Sequence, residues 1–407
     1  VRTTSVVRRL WSVAENHGRA MAGRFRSPLR GRWLTSVFGL TLLISLPFVI
    51  VTGLLDYLAY GPQFGQAFPR DVGWLHLPYV DWPTRPAWLF QLTQGLHVGL
   101  GLVLVPVILA KLWSVIPKLF EWPPARSIAH ALERLSLLLL IGGILFEVGT
   151  GLLNIQYDYL FGFSFYTAHY YGAWVFLAAF AVHIGLKFRT MASALRTRQP
   201  KKKPEGATIS RRGLLGLVAG GSLLVAAVTV GQSVDSLRWS AFLLPRGRSY
   251  GGGPTDFQVN RTARSVGITA ESVGPAWRLR LSGRRQLTLD LPTLQRMPQH
   301  TAVLPIACVE GWSTTQTWTG VRLRDLAALT GLPAPANAFV QAVSKTGGFH
   351  QATLQENQVL DPDALLALRV NGAPLSLDHG FPARIIVPAL PGVHCTKWVA
   401  SIDFRER

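Results

Sequence analysis

The chain has 407 residues, of which 15% are charged, and a mean hydropathy of +0.26; an ordinary soluble domain carries about 25% charged residues, so a disordered chain is excluded and a wholly soluble one disfavoured. Two cysteines exclude a disulfide scaffold and any zinc or iron–sulfur site built from four thiolates. The formal charge of +20, from 41 Lys and Arg against 21 Asp and Glu, has a meaning that depends on where it falls.

In chain order, a basic arm (1–32) precedes four long stretches almost free of charge: 33–55, 87–110, 135–157 (broken by Glu147) and 159–186. A basic linker (191–212) leads into a fifth stretch, 213–234. Each stretch reaches the ~20 residues that cross ~30 Å of hydrocarbon as a helix. Lys and Arg number eight in the arm, two in 56–86, four in 111–134 and nine in 187–212, including Lys201-Lys202-Lys203. The positive-inside rule then puts the N-terminus and the second and fourth connections in the cytoplasm, and everything after Asp235 outside. The positive charge is largely topological, and with no basic-aromatic module nucleic-acid binding is not expected. Ser210-Arg211-Arg212-Gly213-Leu214-Leu215 resembles a twin-arginine export signal, or else a helix anchor at the inner face.

Ionisable groups in hydrocarbon are costly and usually functional. His169 and His183, fourteen residues apart, return to within about 40° of one helix face, roughly 21 Å apart along the axis, a spacing suited to two stacked haems. His97 lies about as deep as His169, so the two are expected to ligate an outer haem b through neutral imidazoles; Gly95, Gly99 and Gly101 leave room for a flat macrocycle. An inner haem on His183 needs His130 or His17, because the same-face position on the second span is Lys111. Helix-to-helix hydrogen bonding is the alternative use of these histidines. Glu147 is placed to relay a proton to a quinone or to bond a neighbouring polar group. The block at 33–190 resembles the four-helix b-type cytochromes that exchange electrons with quinone.

Residues 235–407 alternate polar and apolar in short runs, at 277–281, 286–291, 384–387 and 397–402, which predicts a β-rich mixed domain; 323–329 reads as a short helix. In 304–313 an apolar run ends at Cys308, and a Gly/Ser/Thr-rich turn is expected to follow. A thiol at the mouth of a sheet is either a small buried apolar group or a soft metal ligand.

Cys308-Val309-Glu310-Gly311-Trp312-Ser313, then Trp318-Thr319-Gly320-Val321, Asn371-Gly372-Ala373-Pro374-Leu375, His379-Gly380-Phe381-Pro382-Ala383-Arg384 and Lys397-Trp398 together resemble the sulfite-oxidase-fold molybdopterin oxidoreductases. The resemblance implies that Cys308 ligates molybdenum beside two pterin sulfurs. It implies that Arg384 and Cys395-Thr396-Lys397 hold the pterin phosphate, with His379, Ser344 and Arg261 as further cofactor contacts. Asn260 stands where the family has an arginine, Trp312-Ser313 where it has a basic pair, and Leu368 where it has a tyrosine. A pocket stripped of those groups is expected to bind sulfite poorly. The branch implied is the periplasmic methionine-sulfoxide reductases, with Glu310 either donating a proton or making a structural hydrogen bond to the loop, and Asn260 in the catalytic pocket. The family's dimerisation domain is expected to be missing, the sequence stopping at Arg407. Cys395, near the phosphate, is expected to remain unpaired, because a metal ligand cannot also form a disulfide.

The expected architecture is thus a membrane α-helical bundle, four haem-binding spans plus one anchor helix, followed by an extracytoplasmic α+β molybdopterin domain in a prokaryotic plasma membrane. The expected partners are quinone or quinol, an oxidised small-molecule or protein-bound substrate, membrane lipid and the twin-arginine export machinery. The alternatives are substrate oxidation of the sulfite type with electrons passing to quinone, or a haem protein whose outer domain only binds.

Overall fold

The structure, a computed structural model, describes residues 13, 27–65, 68–76, 80–120, 127–156, 161–197, 205–244, 250–344 and 350–406. The expectations placed on His17, on Lys201-Lys202-Lys203 and on most of the basic arm lie outside the described residues. The chain divides into two compact units, Val1–Val49 with Leu100–Ala226, and Ile50–Gly99 with Ala227–Arg407. The units therefore cut across the first, second and fifth apolar stretches.

Helix α1 (Arg32–Ala59) is followed by a short antiparallel ladder, β1 (Asp71–Val72) with β2 (Leu75–His76). Helices α2 (Leu89–Val103) and α3 (Val105–Leu119) form one apolar stretch with a break at Leu104, where Pro106 can donate no backbone hydrogen bond. Helix α4 spans Ile128–Gln156. Helix α5 (Phe165–Arg196) starts at Ser164, whose hydroxyl accepts from Thr167 N, and α6 is Arg211–Thr229. Among the described residues, five helical stretches are long and apolar enough to cross a membrane. They are apolar all round rather than on one face, and Leu223 and Leu224 of α6 stand 71% and 64% exposed.

In the first unit, α4 lies against α5. Gly143 faces Phe176, whose Cβ would be 3.1 Å from a side chain there, and any side chain at Gly172 would collide with Phe146 and Glu147. Small residues permit this close approach. Leu34 and Phe38 of α1 pack on Val107 and Ala110 of α3, with Leu214 and Leu215 of α6. Several helices outrun the sequence-based stretches: α1 runs on to Ala59, α3 to Leu119 and α5 to Arg196, and α4 begins at Ile128. Lys111 does not end its helix, because its ammonium donates to Thr35 O at 2.7 Å; Lys187 does not end α5 and is paired with Glu133. Arg211 donates to the carbonyls of Leu29 and Pro28, each at 3.1 Å, so it anchors the start of α6.

The second unit is β-rich as expected. Its strands and helices run β3 (Leu279–Ser282), β4 (Leu287–Leu289), α7 (Leu291–Arg296), β5 (His300–Ala307), β6 (Ser313–Arg322), α8 (Leu323–Leu329), β7 (Asn337–Ala342), β8 (Gln351–Gln355), α9 (Glu356–Leu360), β9 (Leu365–Val370), β10 (Ala373–Pro374), β11 (Arg384–Ile386) and β12 (Val399–Arg405). One sheet has the order β10-β9-β6-β5, with β11 also paired to β9; the other runs β4-β3-β12-β7-β8. Among the strand pairs of the described residues, β12–β3 alone is parallel. Leu279, Leu281, Leu304, Trp318, Leu326, Leu354 and Ile402 make the core.

The helix at 323–329 is where the sequence puts it. The run at 286–291 is shorter than a six-residue strand, because Asp290 caps α7 by accepting from Thr293 N at 2.8 Å and Leu291 turns into the helix. The strand expected at 397–402 starts only at Val399, since Trp398 sits at φ +52°. The Gly/Ser/Thr-rich turn after Cys308 is confined to 308–312. Ser313–Arg322 is a ten-residue strand, its β-branched threonines suited to a pleated surface.

Candidate active site

Strands β5 and β6 pair in register down to Ala307 opposite Ser313. The turn between them closes through Cys308 N donating to Trp312 O at 2.9 Å and Gly311 N donating to Cys308 O at 3.0 Å. Gly311 has φ +87°, a conformation that favours glycine. Cys308 is therefore held at the tip of a rigid hairpin. Its thiol donates to Glu310 Oε1 at 3.2 Å, while Trp312 Nε1 donates to Glu310 Oε2 at 2.9 Å. Glu310 is completely buried and does not line the cleft; it stands behind the thiol. Burial pushes its carboxyl up to about 9 against the smaller opposing pulls of the Trp312 bond and the Lys397 charge.

Cys308 lines a narrow cleft walled by Phe257, Trp312, Asn260, His379, Arg384 and Lys397 among others. Lys397 Nζ donates to Asn260 Oδ1 (3.0 Å), Arg261 O (2.6 Å) and Asp378 O (3.0 Å), and lies 4.7 Å from the Trp398 ring centroid. Arg384 donates to His379 O and Cys395 O and stands over the Trp318 ring at 5.2 Å. Burial lowers its pKa to about 10, which leaves it a cation at neutral pH. His379 stacks on Phe257 with centroids 3.7 Å apart. Burial, helped by the charges of Arg384 and Lys397, lowers it to about 3, so the ring is neutral.

Two nitrogens in this wall, Arg384 Nε (a donor) and His379 Nε2 (donor or acceptor according to the tautomer), are buried without a hydrogen-bond partner among the described residues. Such groups cost about 1–3 kcal/mol each if left unmet. The cleft thus offers one thiol, two cations and unmet polar atoms to a ligand rich in acceptors. A molybdenum pterin, with sulfur ligands and an anionic phosphate, fits that donor set.

The structure brings Cys308, Asn260, His379, Arg384 and Lys397 to the cleft; the other residues predicted for the molybdopterin site are not among its lining. Arg261 contributes its carbonyl rather than its guanidinium. Ser344 donates to Val266 O at 3.2 Å. Cys395 and Thr396 are buried, Thr396 O accepting from Ile385 N, and neither lines the cleft. Neither Cys308 nor Cys395 is in a disulfide. Leu368 is buried on β9.

Sequence reading missed Phe257, the stacking partner of His379, and His394. His394 is buried, has its ring edge-on to Tyr60 at 5.5 Å, and leaves Nε2 without a partner among the described residues. Its signal was available, as the one imidazole in the otherwise apolar run 389–393 leading to Cys395-Thr396-Lys397.

Of the helical histidines, His169 Nδ1 lies 2.9 Å from Thr150 Oγ1 and 3.2 Å from Glu147 Oε2. A ring held through one nitrogen by a hydroxyl and a carboxylate presents the other nitrogen in a fixed direction, as metal-binding histidines do. His97 packs on α1 at Gly53, where a Cβ would be 2.7 Å from its Cε1. His183 Nδ1 is buried without a partner among the described residues. His130 lies in the first turn of α4, its backbone N donating to Ser127 Oγ at 3.1 Å. Among the described residues no three His, Cys, Asp or Glu side chains cluster to hold a metal ion.

Residues 267–407 match the family described as "Oxidoreductase molybdopterin binding domain". The chain is similar to mitochondrial sulfite oxidase of Mus musculus, 31% identical over 147 residues, which cover 30% of this chain and 27% of that protein. It is also similar to the NAD(P)H nitrate reductase of Hordeum vulgare, 39% identical over 101 residues, 23% of this chain and 11% of that protein. Among solved structures it matches the sulfane dehydrogenase SoxCD from Paracoccus pantotrophus at 23% identity and a TM-score of 0.30, covering 33% of this chain and 39% of that one. The chain thus spans little more than a quarter of the sulfite oxidase it matches. Its C-terminal part is a molybdopterin-binding oxidoreductase domain of the sulfite-oxidase type.

Proposed function

We propose that this chain is a membrane-bound molybdenum oxidoreductase that passes electrons from quinol, through haem b on its helical region, to an oxygen-bearing substrate of the sulfoxide type outside the cytoplasm. The observation that carries the reading is the convergence of the Cys308 thiol, the Arg384 and Lys397 cations and the unmet His379 and Arg384 nitrogens on one cleft. The metal, held by Cys308 as thiolate together with the pterin sulfurs, supplies reversible two-electron oxygen-atom exchange. Arg384 and Lys397 hold the phosphate as cations. His379, neutral and braced by Phe257, meets a polar edge of the pterin. Glu310 orients the cysteine sulfur from behind, and Trp312 and Phe257 exclude water from the cleft. The net reaction is sulfoxide plus two protons and two electrons giving sulfide and water, the electrons and two protons released as quinol becomes quinone.

A sulfoxide fits this cleft better than a dianion. With Arg384 and Lys397 assigned to the phosphate, the described cleft wall holds no further cation for an oxyanion substrate. Asn260 is neutral, and two walls are aromatic. In the helical region, His97, His169 and His183 are the haem ligands of this proposal, with the anchored His169 ring its best support and His130 the weakest member. The twin-arginine motif at the start of α6 would bring the loaded domain across the membrane.

The second reading, oxidation of sulfite with electrons passing to quinone, is favoured by the sulfite oxidases among the relatives. A visible redox spectrum and metal analysis on one sample, followed by sulfoxide and sulfite additions, separates the two. The proposal expects stoichiometric molybdenum, a haem reduced by quinol and its reoxidation by a sulfoxide. Haem reduction by sulfite reverses the direction, and haem without molybdenum leaves the outer domain a binding module.

A further inference from the structure

Resting on that reading, we propose that the outer turns of α2 are the contact through which electrons reach the molybdenum site. Gln91, Gln94 and Val98 fall on one face of this helix at spacings of three and four, and all three meet the turn that carries Cys308. Gln91 Nε2 donates to Ser313 Oγ at 3.0 Å and to Ser233 O at 3.2 Å. Gln94 Nε2 donates to Val309 O at 2.9 Å, and Gln94 is only 4% exposed. Val98 occupies the space a side chain on Gly311 would need, 2.6 Å from Cγ1 to the Cβ position. Ser233, just beyond α6, donates to Gly311 O at 2.9 Å and approaches α2 at Gly95, where a Cβ would stand 3.0 Å from its hydroxyl.

Two amides and a hydroxyl thus grip the cysteine turn at residues 309, 311 and 313, and two glycines allow the approach. Polar side chains buried on an apolar helix are expensive unless they meet partners, and for Gln94 the partner is the backbone carbonyl of Val309, the residue next to Cys308. His97 is covalently the neighbour of Val98. The route from its imidazole to Cys308 therefore crosses a single van der Waals contact, Val98 to Gly311, before re-entering covalent chain three residues from the sulfur. Electron transfer weakens steeply with each through-space gap, so this route exceeds any that must cross solvent. One electron passes at a time, and two transfers deliver the pair that quinol gives up and the sulfoxide consumes.

The test uses the full-length loaded protein with Gln94→Met and Ser233→Ala, which remove one donor each, and Ser233→Thr, which restores the hydroxyl. Turnover is driven either by quinol, through the haem, or by a reduced viologen acting on the molybdenum site directly; haem midpoint potential and molybdenum content are read alongside. The proposal expects quinol-driven haem reoxidation by sulfoxide to slow about tenfold, the effect of roughly 1.4 kcal/mol on a barrier. Viologen-driven turnover, haem potential and metal content should stay at parental values, and Ser233→Thr should recover the rate. If quinol- and viologen-driven turnover fall together, or neither falls, the proposal is overturned. A parent protein without haem overturns the proposed function as well, so the two failures are distinct.

Discussion

His394 gives the most quantitative handle on the account. Burial lowers its pKa to about 4, and that of His379 to about 3, from the 6.5 of an exposed imidazole. The direction follows directly: the unfolded chain takes up a proton below pH 6.5 that the folded chain refuses until near pH 4. The stability contributed is complete above the unfolded value and is lost as pH falls toward the folded one. At about 1.4 kcal/mol per unit, each histidine costs about 2 kcal/mol of stability between pH 7 and pH 5. Buried carboxyls such as Glu310, raised to about 9, pull the other way, so the total slope is not diagnostic, whereas the difference between a variant and its parent isolates one residue. His394→Leu removes the titration and leaves no unmet ring nitrogen. The assay is denaturant unfolding of the pterin-free full-length protein, followed by tryptophan fluorescence at pH 7 and pH 5. The variant should gain about 2 kcal/mol on its parent over that interval. Parallel pH dependences in the two proteins would refute the argument that His394 is neutral in the fold.

Arg384→Met should leave a folded chain with pterin content reduced about tenfold or more, since a charge-assisted phosphate bond is worth about 1.5–3 kcal/mol; cofactor extraction and fluorescence quantify it. Gly311→Ala should destabilise the second unit by about 2 kcal/mol or more, from the φ of +87° and the collision with Val98, measured by thermal unfolding. Trp312→Phe removes the bond to Glu310 Oε2 and should cost about 1–3 kcal/mol, because it leaves a buried carboxyl oxygen short of a donor; the same unfolding assay reads it.

The parts of this protein that sequence discloses are those governed by local pattern. Runs of about twenty apolar residues disclosed the long helices, and spaced motifs disclosed Cys308, His379, Arg384 and Lys397, which the fold brings to one cleft. What stayed hidden depends on partners distant in the chain. Lys111 looked like the end of a span, and only the Thr35 carbonyl makes its place inside a helix tolerable. Glu310 looked like a cleft residue two positions past the cysteine, but the turn folds it inward between the thiol and the Trp312 indole. Ser313–Arg322 looked like turn because its residues are polar, yet alternate threonines on a strand face two environments. Gln91 and Gln94 passed unremarked in the second apolar stretch, because nothing local says that Ser313 and Val309, more than two hundred residues away, accept from them.

The central claim is that the Cys308 sulfur is a ligand of molybdenum, and the most direct measurement is molybdenum X-ray absorption on the parent and on Cys308→Ser. The account predicts three sulfur neighbours in the parent and two in the variant, whose pterin is retained by Arg384 and Lys397 and whose activity is abolished. An unchanged sulfur shell in a fully active serine variant would contradict it.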